Sequence, residues 1–259
     1  MFESPSRAGI QSRAMRVLSV THGPSVPGGV FDETVEAAGH ELERWSVPRG
    51  DAPEPAAAYD AVMVFGGSMH PDQDDAFHWL EREEAFLRSV LEEGVPALGV
   101  CLGAQMLARA AGAWVASASE PEVGWLEVKL TPEGRADPVL GTLPARTTAF
   151  QWHSYTFGIP VGGAELARSA VCTQAFRVGN AWGIQFHAEV TLPMLRTWIA
   201  EEPHELSEPA AFLARAEANI VRWNEEGRAL CAAFVEIARA RAAQLSGATR
   251  STASSAANA

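Results

Sequence analysis

Apolar residues follow two rhythms in the first 112 residues and a shorter one afterwards. Arg16 to Val20 is a compact apolar run that reads as a strand, and a Gly/Pro-rich loop to Gly29 leads into a helix over roughly Val30 to Ala38. Glu41 to Val47 alternates apolar and polar as a strand does. Tyr59 to Phe65 is a third strand, apolar and partly β-branched, running into Gly66-Gly67-Ser68. From Phe77 to Glu93 the spacing turns helical, with Trp79, Leu80, Phe86, Leu87, Val90 and Leu91 on one stripe. Gly94-Val95-Pro96 stops that helix. Ala97 to Val100 is then an unalternating apolar run, as expected of a strand covered on both faces. Good helix formers fill Leu102 to Ala111. Strand alternating with helix is the sequence form of a parallel sheet with helices on both sides.

Beyond Gly112 the period shortens. Trp114–Ala116, Gly124–Leu130, Thr147–Trp152, Glu165–Ser169, Ala175–Val178 and Trp182–Phe186 are turn-separated strand candidates that predict a mixed or antiparallel extension of the sheet. Pro193 to Ala200 is one helix. Pro209 to Ala243 holds one long helix or two, with Phe212, Leu213, Ile220, Trp223, Leu230, Phe234 and Ile237 on an apolar face. A Ser/Arg/Gly-rich lead-in (1–14) is expected to be flexible and a Ser/Ala-rich tail (246–259) disordered. That leaves residues 15–245 as one domain including the C-terminal helices.

Composition narrows the function classes. At 259 residues the chain can bury a full α/β core. A net charge of −12 argues against nucleic acid, whose affinity comes largely from Lys and Arg. Three widely spaced cysteines form neither a disulfide framework nor a metal pair and fit a reducing cytoplasm. No apolar stretch is long enough to cross a bilayer, and the N-terminus lacks a secretory core.

Candidate chemistry centres on Gly99-Val100-Cys101-Leu102-Gly103. Glycines two residues either side of a cysteine permit a sharp strand–turn–helix reversal, the nucleophile elbow, with the thiol at a helix N-terminus where the thiolate is favoured. A lone cysteine reads better as a buried structural residue, and the flanking glycines and the change to helix weaken that reading without removing it. A cysteine nucleophile needs a base and the base an orienting group. His187 follows the Trp182–Phe186 run, and Glu189, two residues on, can point to the same side and hold the imidazole. His22, His40, His70, His78 and His204 have no metal-ligand spacing and read as loop or surface groups. Cys172 and Cys231 read as inert packing residues, the tryptophans as core or rim, and the acidic loop with Asp72, Asp74 and Asp75 as solvated.

Taken together, Gly66-Gly67 after a strand, Cys101-Leu102-Gly103-Ala104-Gln105 and Gln185-Phe186-His187-Ala188-Glu189 resemble the class I (triad-type) glutamine amidotransferases over about residues 15–190. The chain departs from the family's pattern at Ala188 and at Ser68, where proline is usual. Glu122-Val123-Gly124-Trp125 and Thr131-Pro132-Glu133-Gly134 resemble its stand-alone GMP-synthase-like members. The resemblance implies a three-layer αβα sandwich, flavodoxin-like, with a mostly parallel central sheet and a C-terminal helical extension. It implies Cys101 as nucleophile, His187 as base, Glu189 as its orienting acid, and the N–H groups of Gly67 and Leu102 as oxyanion hole. Gln105, Ser154 and Tyr155 would bind substrate, although Gln105 reads equally as a helix-surface residue. His153 is set aside because only His187 has the His-x-Glu setting.

No cofactor or metal is expected. The implied substrate is glutamine or another γ-glutamyl small molecule, and a separate synthetase subunit is an open partner. No Ser-Gly-Gly-x-Asp-Ser phosphate loop occurs. Three readings stay open: a glutaminase subunit that supplies ammonia, an independent γ-glutamyl amide or peptide hydrolase, and a catalytically silent binding or regulatory module.

Overall fold

A computed structural model describes residues 13–50, 52–202, 204 and 206–256. Among the described residues, nine strands form a single sheet in the order β2-β1-β3-β4-β9-β8-β7-β5-β6. The first five in that order are β2 (Glu41–Ser46), β1 (Arg16–Thr21), β3 (Ala61–Val64), β4 (Ala97–Val100) and β9 (Ala181–Ile184), and all are parallel. The remaining four, β8 (Thr173–Val178), β7 (Ala164–Arg168), β5 (Val115–Leu130) and β6 (Arg146–Phe157), pair antiparallel. Parallel pairing therefore covers five strands, and the expected antiparallel extension makes up the rest.

Strand residues alternate between two cores because successive side chains point to opposite faces. Val17 of β1, Ala61 and Met63 of β3, and Leu98 and Val100 of β4 face one core. Leu18 and Val20, Val62 and Val64, and Ala97 face the other. The first face is covered by α1 (Gly29–Ala37), α5 (Leu192–Glu201) and α6 (Pro209–Ala256), through Phe31, Leu195, Trp223 and Phe234. On the second face lie α2 (Trp79–Glu92) and α3 (Leu102–Ala110), through Leu80, Leu87 and Leu107. The result is the three-layer arrangement that the sequence predicts.

Two sequence expectations merge in the fold. The Trp114–Ala116 candidate, from Val115 on, and Gly124–Leu130 belong to the single strand β5, which carries a register irregularity between Ser117 and Glu122. The C-terminal apolar stripe is one continuous helix, α6. It runs on to Ala256, into the segment for which composition predicts disorder; alanine, the best helix former, recurs through those turns. Most of the predicted lead-in, 1–12, and the last residues, 257–259, lie outside the described residues. Among the described residues, no helix is long and apolar enough to cross a membrane.

Candidate active site

Cys101 sits between β4 and α3 with φ 53° and ψ −112°, and no other non-glycine described residue has positive φ. Such a conformation is strained for an L-residue and persists only where its surroundings hold it. Here Cys101 N–H donates to the Ile184 carbonyl at 2.8 Å, and its own carbonyl accepts from Gln105 N–H at 3.0 Å. Gly103 makes the close approach possible. A Cβ there would lie 2.1 Å from the Val64 carbonyl oxygen, while Gly103 N–H donates to Phe65 O at 3.1 Å.

The His187 segment differs locally from expectation. Strand β9 stops at Ile184, so His187 and Glu189 lie in the irregular chain after it rather than in an extended run. Their side chains still meet. His187 Nδ1 is 2.8 Å from Glu189 Oε1, and both groups are buried. That contact leaves Nε2 as the nitrogen available to the Cys101 thiol, which borders the same cavity. Burial opposes charge on His187, but the neighbouring Glu189 carboxylate and Cys101 sulfur outweigh it and raise the pKa to about 10.

Three backbone groups of this segment are held by the helices below. Trp223 Nε1–H donates to His187 O at 2.7 Å, Asn224 Nδ2–H to Val190 O at 2.6 Å, and Val30 N–H to Glu189 O at 2.9 Å. Helix α6 comes so close that a Cβ on Gly227 would lie 2.1 Å from Ala188 O. Regular pairing is thus replaced by side-chain and helix-end donors, as buried backbone requires.

The Gly66-Gly67 loop has an anchor the sequence reading missed. His22, expected in a loop or at the surface, is buried. Its Nδ1 lies 3.0 Å from Gly66 O, and its Nε2 lies 3.0 Å from both oxygens of Glu83 on α2. Two acceptors, one at each ring nitrogen, hold the ring as an imidazolium. Burial works against that charge, but Glu83 and the Gly66 carbonyl outweigh it and raise the His22 pKa. The peptide is trans. With Gly66 C=O turned to His22, the Gly67 N–H points the opposite way. His22 and Glu83 are 61 positions apart, and no local spacing announces the pair.

Two cavities flank Cys101 and share Gly67, Ser68, Trp152 and Glu202 as walls. One, of about 410 Å³, is bordered by Leu102, Gln105, Ser154 and Tyr155. Gln105 is therefore not a surface residue. It is buried, and its Nε2–H donates to Tyr155 O at 3.2 Å and to Gln185 Oε1 at 3.1 Å. His70 stacks on the Tyr155 ring at 4.2 Å, and Tyr155 Oη–H donates to Asp72 Oδ2 at 3.2 Å. Arg109 of α3 pairs with Asp74 at 2.9 Å and with Glu84 at 2.8 Å. Asp72 and Asp74 of the acidic loop thus make side-chain contacts to Tyr155 and Arg109, while Asp72 itself stays exposed. The other cavity, of about 350 Å³, is bordered by His22, Val26, His187, Trp198 and Glu201.

A separate cluster joins Glu122 of β5, His153 of β6 and Cys172 of the β7–β8 turn, whose ligand-type atoms lie within 4.8 Å of one another. Such a set has the donor types of a zinc site. Its carboxylate is already engaged, however. Glu122 Oε2 accepts from Gln174 Nε2–H at 2.7 Å, Ser169 Oγ–H at 3.0 Å and Cys172 Sγ–H at 3.4 Å, with His153 Nε2 at 3.3 Å. Burial, reinforced by Glu122, pushes the Cys172 thiol up to about 11, so it remains a protonated donor near neutral pH. Cys172 is therefore a hydrogen-bonding member of a network and not a simple packing residue. His153 Nδ1 is 3.0 Å from Tyr155 O, the carbonyl that Gln105 also meets.

Comparison with known proteins bears on this geometry. A family model described as "Glutamine amidotransferase class-I" matches residues 31–201. The chain is 29% identical to the glutamine amidotransferase-like protein YfeJ of Salmonella typhimurium over 220 residues, covering 81% of this chain and 91% of that protein. It is 36% identical over 111 residues to a glutamine-hydrolysing GMP synthase of Edwardsiella ictaluri, but spans only 21% of that enzyme. The crystal structure of a glutamine amidotransferase from Thermotoga maritima superposes with a TM-score of 0.80 at 28% identity, covering 86% of this chain and 99% of the other.

Proposed function

The chain belongs to the class I glutamine amidotransferases, and from that premise we propose that it cleaves a γ-glutamyl side-chain amide through a thioester on Cys101, releasing glutamate and, from glutamine, ammonia. The observation that carries this reading is the buried His187–Glu189 contact of 2.8 Å beside a strained cysteine at the junction of two cavities. It supplies a nucleophile, a base and an orienting acid in the order acyl transfer needs.

In this mechanism the Cys101 sulfur attacks the amide carbon while His187 holds the thiol proton. Glu189 fixes the ring tautomer and stabilises the imidazolium. The oxyanion forms against the N–H groups of Gly67 and Leu102, the first aimed by His22 through the Gly66 carbonyl. Collapse of the tetrahedral intermediate breaks the C–N bond, and His187 gives its proton to the departing nitrogen. Water, deprotonated by His187, then attacks the thioester. The S–C bond breaks, and glutamate leaves. Gln105, Ser154 and Tyr155 border the cavity that would hold the glutamyl part. Whether the ammonia serves a separate synthetase is a matter of partners rather than of this site.

The test is glutamate release from glutamine by the purified protein and by Cys101→Ser, with mass spectrometry after treatment with an electrophilic glutamine analogue. Wild type should release glutamate and carry one adduct on Cys101, and the variant should do neither. A folded wild-type protein that neither turns over glutamine nor takes the label would support the silent module instead.

A further inference from the structure

The cavity on the His187 side of Cys101 is far larger than ammonia requires. It measures about 350 Å³, whereas a molecule the size of water or ammonia fills roughly 30 Å³. We propose that this cavity is a subsite for the leaving amine, and that it selects amines bearing a second, protonated nitrogen, so that the substrates are γ-glutamyl amides of diamines or polyamines. The inference rests on the Cys101 thioester reading and names the substrate class of that same site.

The chemistry of amide cleavage assigns the two cavities. The departing nitrogen must leave on the side of the group that protonates it. His187 borders this cavity and not the other. Conversely, Gln105, Ser154 and Tyr155 border only the other, where the glutamyl part belongs. One substrate spanning Cys101 would therefore have its acyl half in the 410 Å³ cavity and its amine half in the 350 Å³ cavity.

The walls of the amine side define what fits. Trp152 and Trp198 meet edge to face with centroids 5.9 Å apart, giving an apolar lining. Trp198 is fixed, because its Nε1–H donates to Ser25 O at 2.6 Å and its ring packs on His187 at 5.0 Å. At the end of α5, Glu201 and Glu202 add two exposed carboxylates, the first accepting from Ser25 Oγ–H at 2.6 Å. Among the described residues, neither lysine nor arginine lines the cavity. The two imidazoles on the wall, His22 and His187, are each paired with a buried carboxylate, Glu83 and Glu189, so indole rings beside Glu201 and Glu202 form a site for an ammonium carried on an alkyl chain. A leaving amino acid, as from a γ-glutamyl peptide, would instead bring its carboxylate against Glu201 and Glu202.

The step balances as hydrolysis. The Cys101 S–C bond forms and the amide C–N bond breaks, the amine departs with the proton from His187, and one water regenerates the thiol and gives glutamate.

The experiment compares kcat/KM for γ-glutamyl-putrescine, γ-glutamyl-pentylamine, γ-glutamyl-glycine and glutamine, all read as glutamate release. Pentylamine replaces the ammonium by a methyl at nearly equal length. The putrescine amide should exceed the pentylamine amide by about tenfold, exceed glutamine, and exceed the glycine conjugate by more. In Glu201→Gln/Glu202→Gln the putrescine-to-pentylamine ratio should fall to about one, a readout that changes in general stability would not move. Equal or better turnover of pentylamine amide, or glutamine preferred over all three conjugates, overturns the subsite and leaves the cavity as an ammonia path. Either result keeps the Cys101 reading, since glutamate is still released. No release from any compound, with no acylation of Cys101, brings down the underlying reading and the subsite with it.

Discussion

Replacing His22 and Glu83 separates what the buried pair does for stability from what it does for the oxyanion loop. Both side chains are fully buried, and each is the other's partner at 3.0 Å. His22→Leu alone strands the Glu83 carboxylate, and an unpaired buried charge costs about 3–5 kcal/mol. His22→Leu/Glu83→Leu removes both charges, and replacing a buried pair by apolar residues is often neutral or mildly stabilising. If stability were all that mattered, the double variant would regain full activity. The Gly66 carbonyl, however, still lacks the donor that held it at 3.0 Å, so the Gly67 N–H loses its aim. Outright loss of an oxyanion donor costs about 10²–10³ in rate. A donor left in place but unanchored should cost about 10–100-fold in kcat, with KM nearly unchanged. Thermal melting and single-turnover acylation by glutamine measure the two effects. A stable double variant acylating within about twofold of wild type would refute the positioning argument. The pH dependence has a definite sign. Because the folded-state pKa of His22 is raised from 6.5, the pair's stabilisation is fully present below that value and is lost as pH rises through the raised pKa. The stability of the double variant relative to wild type should therefore rise on the alkaline side.

Other expectations follow from named contacts. Glu189→Gln removes the charge that holds up the His187 pKa; acylation should fall about a hundredfold or more and the titration of the His187 ring, followed by NMR, should move down, an unchanged rate arguing against its role. Gly103→Ala places a methyl 2.1 Å from the Val64 carbonyl oxygen and should destabilise by about 1–3 kcal/mol, visible as a lower melting temperature together with loss of Cys101 labelling. Trp223→Phe leaves the His187 carbonyl without its 2.7 Å donor; a cost of about 1–3 kcal/mol in denaturant unfolding, with slower acylation, is expected, and neither change would mean that α6 does not brace the histidine.

Much of the fold was legible because its signals are local. Strand and helix periods up to Ala110 reflect side-chain geometry within one element, and the glycines around Cys101 mark a reversal made by neighbouring residues. What was missed depends on contacts between distant elements. His22 looked like a loop residue because its partners, Glu83 and the Gly66 carbonyl, lie 61 and 44 positions away. Gln105 read equally as surface because helix periodicity does not show that Tyr155 of β6 and Gln185, just past β9, arrive over it. Cys172 looked inert because only the packing of β5, β6 and the β7–β8 turn brings Glu122 and His153 to it. The strand leading to His187 was overextended because the apolar run continues to Phe186, whereas ladder pairing ends at Ile184.

By itself the sequence determined the alternation of elements, the elbow that offers a thiol at a helix start, and the two-residue spacing of a histidine and its acid. Each is a matter of a few bonds along one backbone, where chain geometry leaves little choice. Only the tertiary structure decided how Cys101 and His187, 86 positions apart in number, meet through the β4–β9 pairing. It also decided that a buried imidazolium anchors the glycine loop and that the thiol lies between two cavities of unlike lining. Those features come from desolvation and from packing across the sheet, and both depend on which distant residues come to share the same space.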